Sequence, residues 1–252
     1  MNLKQRLQAA ECLLGAGVYS NSLEVIEYSA RAMDWIWWEL QHTHADWQTT
    51  VHAARTAHSV PIPMLIRTWT HQGDTIERLL DTGVDGIIVP MVDTAEQAAG
   101  IVSRCYYPPL GNRSFGSIRT EVMEPDVDEW NKRIVVILQV ESPTGVENSE
   151  AIARVPGVDG LLVGARDLAL RRGRSFAEGH AQANVDEDLA HVRQACRQAG
   201  KAAGIIALTE TELRTRIGQG YRLICAGMDL DHLELAYRRM RAAAVEALPA
   251  SG

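Results

Sequence analysis

The sequence is poor in cysteine and lysine, and it has no long apolar run. Its four cysteines are far apart and form no C-x-x-C pair, which argues against a disulfide framework and a thiolate zinc site. The longest apolar runs, such as residues 86–92, are much shorter than the about 20 residues that a membrane helix requires. The sequence therefore predicts no membrane span.

Basic residues are also outnumbered. The chain has 25 Lys and Arg residues against 32 Asp and Glu residues, which gives a net charge of −7. An acidic surface repels nucleic acid phosphates and anionic lipids, so neither nucleic acid nor a membrane is expected as a partner. The N-terminal residues 1–6 carry two cations, but no apolar stretch typical of a signal peptide follows them. This pattern predicts a cytoplasmic location.

What the sequence does contain is an alternation of strand-like and helix-like segments, the pattern of repeated βα units. The predicted strands are Cys12–Tyr19, Asp34–Leu40, Pro63–Thr68, Val84–Val92, Ile134–Val140, Val158–Val163, Ala202–Leu208 and Tyr221–Met228. The predicted helices are Asn21–Ala32, Asp46–His58, Thr70–Thr82, Thr94–Cys105, Asn148–Val155, Asp186–Ala199, Glu210–Gln219 and Asp231–Ala247.

This alternation predicts an α/β fold, specifically a (β/α)8 TIM barrel, as one domain over residues 1–252. No linker rich in Pro, Gly or Ser divides the chain, and residues 83–90 resemble residues 157–164, as a repeated unit would. Residues 106–131 and 171–184 are predicted to form long loops. Trp37 and Trp38 are neighbours in one strand, so one of them must point outward into the helix layer.

Two acids follow predicted strands that are neighbours in a barrel. Glu141 comes after the fifth strand and Asp167 after the sixth. Active sites of TIM barrels lie at the C-terminal ends of the strands, and adjacent strands are about 4.8 Å apart. Oxygen ligands without thiolates suit Mg²⁺ or Mn²⁺. From spacing alone, solvated or arginine-paired acids are an equally good interpretation.

Other polar residues follow the second and third strands. Arg67 ends an apolar strand, where it can stabilise an oxyanion, bind a carboxylate, or form a structural ion pair with Glu39 or Glu141. His42 and His44 are candidate bases or metal ligands, because imidazole titrates near neutral pH. A structural histidine is the alternative.

Several motifs occur in a shared order and spacing. They are Asp34-Trp35 leading to His42, Arg67 with Trp69, Leu79-Leu80-Asp81-Thr82-Gly83, Val89-Pro90-Met91-Val92, Tyr107 to Ser114, Gln139-Val140-Glu141-Ser142, and Gly157 to Leu168. Together they resemble the HpcH/HpaI aldolases, metal-dependent class II pyruvate aldolases of the 4-hydroxy-2-oxoheptanedioate type, over nearly the whole chain.

The resemblance implies reversible aldol chemistry, in which pyruvate is bound to a divalent cation, forms its enolate and adds to an aldehyde. Glu141 and Asp167 match the carboxylates that hold this cation, Mg²⁺ or Mn²⁺, with Co²⁺ as a further option. No organic cofactor is implied. No lysine Schiff base is required either, and none of the three lysines lies at the end of a predicted strand.

The resemblance also implies roles for side chains around the substrate. His42 matches the general base, which acts through a water, and Asp81 matches the carboxylate that orients it. Arg67 matches the cation beside the enolate oxygen, and Gln139 matches an amide near the same oxygens. Glu39 matches an acid that supports these groups from just outside the substrate shell.

The backbone N–H groups around Ala165, Arg166 and Asp167 are expected to bind the pyruvate carboxylate, because the start of a helix offers unpaired donors. The chain departs from the family pattern here, since Arg166 precedes Asp167 and Ala169 replaces a serine. This departure changes the local anion pocket.

Two further departures concern the mouth of the barrel. His44 competes with His42 as the base or reaches the substrate from just outside, and the register favours His42 as the base. The run of Arg171, Arg172 and Arg174 forms either an anion-recognising lid or a solvated loop, and the solvated loop is the simpler interpretation.

Three other functions use the same residues or scaffold: a CoA-ester lyase, an oxaloacetate decarboxylase, and a non-catalytic barrel that binds a small acid. Partners are otherwise expected to be small molecules and further copies of the chain. The resemblance implies a trimer or hexamer that exchanges the C-terminal helix. The apolar stripe for such docking is Leu233, Leu235, Ala236, Met240 and Ala244, although a monomer that packs this helix on itself would show the same stripe.

Overall fold

The computed structural model describes residues 1–173 and 185–247. Eight parallel strands follow one another in chain order and close into a barrel, which confirms the predicted fold class. The strands are β1 (Leu13–Val18), β2 (Trp35–Glu39), β3 (Met64–Arg67), β4 (Gly86–Val89), β5 (Val135–Val140), β6 (Gly160–Val163), β7 (Ala202–Ile206) and β8 (Leu223–Met228). Each lies within its predicted segment.

Helices surround the barrel, and every predicted helix overlaps an observed one. The helices are α1 (Leu3–Gln8), α2 (Leu23–Ser29), α3 (Trp47–Ser59), α4 (Gly73–Leu80), α5 (Ala95–Cys105), α6 (Ile118–Met123), α7 (Val127–Arg133), α8 (Pro143–Glu147), α9 (Ser149–Ala153), α10 (Ala165–Arg171), α11 (Asp186–Ala199), α12 (Glu210–Gln219) and α13 (Asp229–Ala247). Within the described residues, no helix is long and apolar enough to cross a lipid bilayer.

Helix boundaries follow from local capping chemistry. The side chains of Asp46, Thr94 and Thr209 accept hydrogen bonds from the first turns of α3, α5 and α12. Gly200 and Gly220 end α11 and α12 in the left-handed conformation that glycine adopts at low cost. Because these capping residues lie next to the helices in the sequence, the helix positions could be predicted from the sequence.

The buried apolar side chains form two layers, one inside the barrel and one between the strands and the helices. Trp37 belongs to the inner cluster and Trp38 to the outer one. The Trp38 indole donates a hydrogen bond to Thr50 Oγ1 on α3, at 3.4 Å. The expectation that one of the two tryptophans faces the helix layer is confirmed.

Several parts of the chain differ from the prediction, among them the short helix α8, which was not predicted. Residues 106–131, predicted as a loop, contain α6 and the start of α7, with the Trp130 indole donating to the carbonyl oxygens of Thr120 and Glu124. Helix α1 was not predicted at all. It buries Leu3 and Leu7 in the inner cluster and so covers the N-terminal end of the barrel.

The C-terminal helix α13 stands apart from the barrel. Its first residue is anchored, because the Asp229 carboxylate accepts hydrogen bonds from the backbone N–H groups of Tyr19 and Ser20. None of its residues is buried. The large apolar side chains Leu233, Tyr237 and Met240 are 49%, 68% and 71% exposed.

Candidate active site

The strand registers bring the predicted residues to one end of the barrel. Glu39 on β2 lies beside Arg67 on β3. On the other side, Val140 of β5 pairs with Val163 of β6, so Glu141 and Gly164 follow at the same level. All of these positions are at the C-terminal ends of the strands, where the active sites of TIM barrels lie.

Glu39 and Arg67 form a buried ion pair at this end. The Arg67 Nε–H donates to Glu39 Oε2, and the Glu39 side chain is 0% exposed. Glu39 also accepts hydrogen bonds from the Trp37 indole at 2.9 Å and from the backbone N–H of His42 at 3.0 Å. Of the two partners that the sequence allowed for Arg67, the structure selects Glu39, and the same carboxylate holds the turn that carries His42.

The remaining donors of Arg67 are also used. Its Nη1 lies 3.4 Å from Gln139 Oε1, and its Nη2 donates to the Tyr19 hydroxyl at 3.2 Å. The guanidinium also lies 5.0 Å from the centre of the Trp37 ring. Because the guanidinium group has partners on several sides, the positive charge of Arg67 has one fixed position beside the cavity.

Glu141 is a buried carboxylate without a basic partner. Its Oε1 accepts the Met91 backbone N–H at 2.8 Å, and its Oε2 accepts Gln139 Nε2 at 2.6 Å. Among the described residues it forms no ion pair with Lys, Arg or His. Burial, and secondly the negative charge of Asp167, raise the pKa of Glu141 to about 7. In the described part of the chain, Glu141 therefore has no counter-ion paired directly with it.

Backbone geometry supports the position of Glu141. Met91 has φ +58°, a left-handed conformation that is uncommon for a residue with a side chain, and this residue supplies the N–H that Glu141 accepts. At Gly164, a Cβ atom would lie 2.4 Å from Glu141 Oε2. Only glycine allows the end of β6 to approach this carboxylate so closely.

The donor set at this point fits a hard divalent cation. Asp167 lies in the first turn of α10, and its charge acts on Glu141. Among residues 1–173 and 185–247, no cluster of three or more His, Cys, Asp or Glu side chains has a metal-binding arrangement. A cation here would have two carboxylates from the protein, with water and substrate oxygens as the other ligands, which is a common arrangement for Mg²⁺.

A cavity of about 360 Å³ opens beside these residues, within the range of about 300–1,000 Å³ for small-molecule sites. Its lining includes the predicted residues His42, Arg67, Gln139, Ala165, Arg166 and Asp167. It also includes Tyr19, which was not among the predicted site residues. Tyr19 ends the predicted first strand, so the rule that identified the other strand ends could also have found it.

The two histidines have different positions. His42 lines the cavity, whereas His44 is exposed and does not contribute to its lining. Within the described residues, neither imidazole forms a hydrogen bond. The geometry favours His42 over His44 as the residue that reaches substrate.

The expected pairing of Asp81 with His42 does not form within the chain. Asp81 is the C-cap residue of α4, and its carboxylate accepts a hydrogen bond from Arg113 Nη2 at 2.7 Å. Helices of a βα unit run antiparallel to the strands, so the end of α4 lies at the N-terminal end of the barrel. Because of this helix direction, the Asp81 carboxylate lies away from the cavity.

The arginine run after α10 is only partly described. Arg171 closes α10, with its Nη2 at 3.2 Å from Met91 Sδ, and Arg172 pairs with Asp188 on α11 at 2.7 Å. Neither lines the cavity. Arg174 lies outside the described residues.

Comparison with known proteins identifies the group to which this geometry belongs. The family described as HpcH/HpaI aldolase/citrate lyase matches residues 18–236. The chain belongs to this family. A hydroxypyruvate/pyruvate aldolase from Chromohalobacter salexigens is 36% identical over 208 residues, which are 81% of each chain. A 5-keto-4-deoxy-D-glucarate aldolase from Klebsiella pneumoniae is 32% identical, with 82% of each chain covered.

A solved structure shows the same relationship. The crystal structure of an HpcH/HpaI aldolase/citrate lyase family protein from Burkholderia cenocepacia has a TM-score of 0.89 and 30% identity, and it covers 96% of this chain and 98% of its own. As an HpcH/HpaI aldolase, the protein is a carbon–carbon lyase that depends on a divalent metal ion. Glu141 is buried, whereas Asp167 is exposed at the start of α10.

Proposed function

We propose that this aldolase joins pyruvate to an aldehyde and cleaves the resulting 4-hydroxy-2-oxo acid, with Mg²⁺ or Mn²⁺ held by Glu141 and Asp167. The observation that supports this is the buried carboxylate of Glu141, which has Asp167 as a like-charged neighbour and, among the described residues, no directly paired cation. A divalent ion supplies this counter-charge. The relatives named as pyruvate and sugar-acid aldolases support the same reaction class.

The cation's contribution is Lewis acidity toward the carbonyl oxygen of the 2-oxo acid. Arg67, fixed by Glu39, Gln139 and Tyr19, stabilises negative charge that develops on the same oxygen. The Gln139 amide forms hydrogen bonds with both Arg67 and Glu141, so it fixes the positions of these two side chains relative to each other.

The carboxylate of pyruvate binds at the start of α10. The backbone N–H groups of Ala165, Arg166 and Asp167 belong to its first turn and have no helical acceptor. They can therefore donate to an anion in the cavity that these residues line. This places the methyl group of pyruvate within the same cavity as His42.

His42 moves the proton at C3 of pyruvate, acting through a water. Its ring lines the cavity and is not engaged by another described residue, and imidazole exchanges protons readily near neutral pH. Glu39 fixes the turn that carries it through the His42 backbone N–H. His44 is not needed for this step.

The first test is exchange of the pyruvate methyl protons in deuterated water, followed by NMR without any aldehyde. We expect exchange that stops with EDTA and returns with Mg²⁺ or Mn²⁺. Glu141→Gln and Asp167→Asn should lose it. Because general base catalysis typically contributes about 10²–10⁴-fold, His42→Ala should lower the rate by that factor while the control His44→Ala retains it. Exchange that persists in both carboxylate variants, or in His42→Ala, would overturn these assignments.

We further infer that the enzyme is a homo-oligomer in which α13 packs on a second copy of the chain. The support is the helix itself: it carries an apolar stripe, and none of its residues is buried against the described part of the chain. Most helical stability in proteins comes from packing of an amphipathic face against another surface, so a partner surface is expected for this stripe.

A further inference from the structure

Another histidine lies near the site, and the proposed reaction does not use it. His71 lies between β3 and α4, where it is half-buried and outside the lining of the cavity. Its Nε2 contacts the carbonyl oxygen of Pro90, the residue that follows β4. A carbonyl oxygen only accepts hydrogen bonds, so Nε2 of His71 is the nitrogen that carries a hydrogen and donates it.

The contact with Pro90 is connected to Glu141 through a single peptide group. The carbonyl oxygen of Pro90 and the N–H of Met91 belong to one planar peptide, and in a trans peptide they point in opposite directions. The oxygen accepts from His71, and the N–H donates to Glu141 Oε1 at 2.8 Å. One peptide plane therefore lies between His71 and the carboxylate that is proposed to bind the cation.

This peptide is held in an orientation that Met91 disfavours. The φ of Met91 is +58°, and residues with a side chain rarely adopt this left-handed conformation. Rotation of the peptide plane by half a turn would bring φ into the β region, but it would point the Pro90 oxygen toward Glu141 in place of the N–H. Oxygen atoms would then face each other. Such conformations persist where the surroundings hold them, and here the surroundings include His71 and Glu141.

Other contacts of this loop hold the chain after Met91. The Val92 N–H donates to the Gln139 carbonyl oxygen at 3.1 Å, and the Ser142 hydroxyl donates to the Asp93 carboxylate. Both contacts attach the loop to the end of β5. His71 acts on the other side of Met91, at the oxygen of the peptide plane itself.

We propose that His71 is a positioning residue for the metal site. By donating to Pro90, it fixes the peptide plane whose N–H orients the Glu141 carboxylate. The same contact polarises the peptide, because hydrogen bonds in a chain strengthen one another. In this role His71 touches neither substrate nor cation and transfers no proton. The inference rests on the proposed function, since it takes Glu141 as a ligand of the cation.

The test is the dissociation constant of Mn²⁺ in the absence of pyruvate, measured from the EPR signal of free Mn²⁺. We expect His71→Phe, which keeps a planar ring but lacks the donor, to weaken binding by about 10-fold, because groups that support metal ligands typically contribute about 10- to 100-fold. His71→Gln should stay within about 3-fold of the wild type, since its amide can donate from a similar position.

A second substitution tests the peptide plane directly. Glycine adopts positive φ at little cost, so Met91→Gly removes the preference of this residue for the rotated plane. We expect Met91→Gly, combined with His71→Phe, to recover most of the lost Mn²⁺ affinity. Absence of this recovery would show that His71 does not act through the peptide plane, and it would overturn the proposal.

His58→Phe is the matched control, because His58 is exposed near the end of α3, at the N-terminal end of the barrel. It should bind Mn²⁺ as the wild type does. Denaturant unfolding shows which variants are folded, and His71→Ala takes the place of His71→Phe if the larger ring prevents folding. Wild-type affinity without the donor, or equal weakening in His71→Gln and His71→Phe, would refute the role of His71.

Glu141→Gln separates this proposal from the proposed function. If the wild type binds no Mn²⁺, or if Glu141→Gln binds it as tightly as the wild type, the proposed metal site itself is wrong. If Glu141→Gln loses binding while His71→Phe keeps it at full strength, only the role of His71 is contradicted.

Discussion

Glu39 and Glu141, two buried carboxylates at the C-terminal end of the barrel, differ in how their negative charge is balanced. Glu39 is fully buried, yet it accepts hydrogen bonds from an arginine, an indole and two backbone N–H groups. Glu141 is equally buried, and in the described part of the chain its donors are neutral. The protein therefore supplies a counter-ion for the first carboxylate, and the proposed metal ion would supply one for the second.

The balance at Glu39 leads to a prediction about stability. Glu39→Gln keeps the shape of the side chain but leaves Arg67 as a buried cation without its counter-ion. Breaking a buried pair in this way costs about 3–5 kcal/mol. We expect the free energy of unfolding, measured with a denaturant, to fall by that amount.

The matched control for this prediction is Glu234→Gln. Glu234 pairs with Arg238 on α13, where both side chains are more than half exposed, and exposed pairs contribute about 0–1 kcal/mol. An equal effect of the two substitutions would show that burial does not determine the value of the Glu39–Arg67 pair.

Most residues of the candidate site could be singled out from the sequence because they follow the ends of strands. This rule placed Arg67, Gln139, Glu141 and Asp167 at one end of the barrel, and the structure brings them together. The strand-end rule did not identify the ion-pair partner of Arg67, because both Glu39 and Glu141 were expected at the same end of the barrel. Asp81 was assigned to the site by motif alone, and the direction of α4 carries it to the other end.

At the scale of elements, glycine determines how closely two neighbouring strands can approach each other. Gly86 on β4 pairs with Val135 on β5, and a Cβ atom at Gly86 would lie 2.0 Å from the Val135 carbonyl oxygen. This contact is with backbone, which cannot rotate away. The barrel therefore cannot accept even a methyl group at this position without moving a strand.

We expect Gly86→Ala to lower the free energy of unfolding by about 3 kcal/mol, as overpacking in a closed core typically does. The control is Gly100→Ala in α5, where no atom lies within 4 Å of the added Cβ. Alanine in a helix interior should stabilise by about 0.5–1 kcal/mol. Denaturant unfolding of both variants checks the difference, and a shift of the same sign in both would refute the steric argument.

The elements that the sequence did not predict share a physical reason. Helices α1, α6 and α7 are only six or seven residues long, too short to show two turns of apolar periodicity. Their positions depend on tertiary burial, as with Leu3 in the inner cluster and Trp130 under α6. The long helices and buried strands were predictable because their patterns repeat.

The whole molecule has one large element that its own barrel does not stabilise. Helix α13 spans 19 residues without a single buried side chain. The sequence could not decide whether this stripe packs on its own barrel or on another copy. Against the described residues the stripe is not buried, and this supports the second copy as the occupant that we infer.

This inference predicts that charge on the stripe separates the subunits. In the variant Leu233→Glu/Met240→Glu, two side chains that are 49% and 71% exposed in the single chain would have to bury carboxylates on assembly. We expect light scattering after gel filtration to give several subunit masses for the wild type and a single 27.7 kDa subunit for the variant. The control Glu150→Arg/Arg154→Glu reverses an exposed ion pair at α9, outside α13, so it keeps the net charge and should keep the assembly. A monomeric wild type, or a double variant that assembles normally, would refute the role of α13.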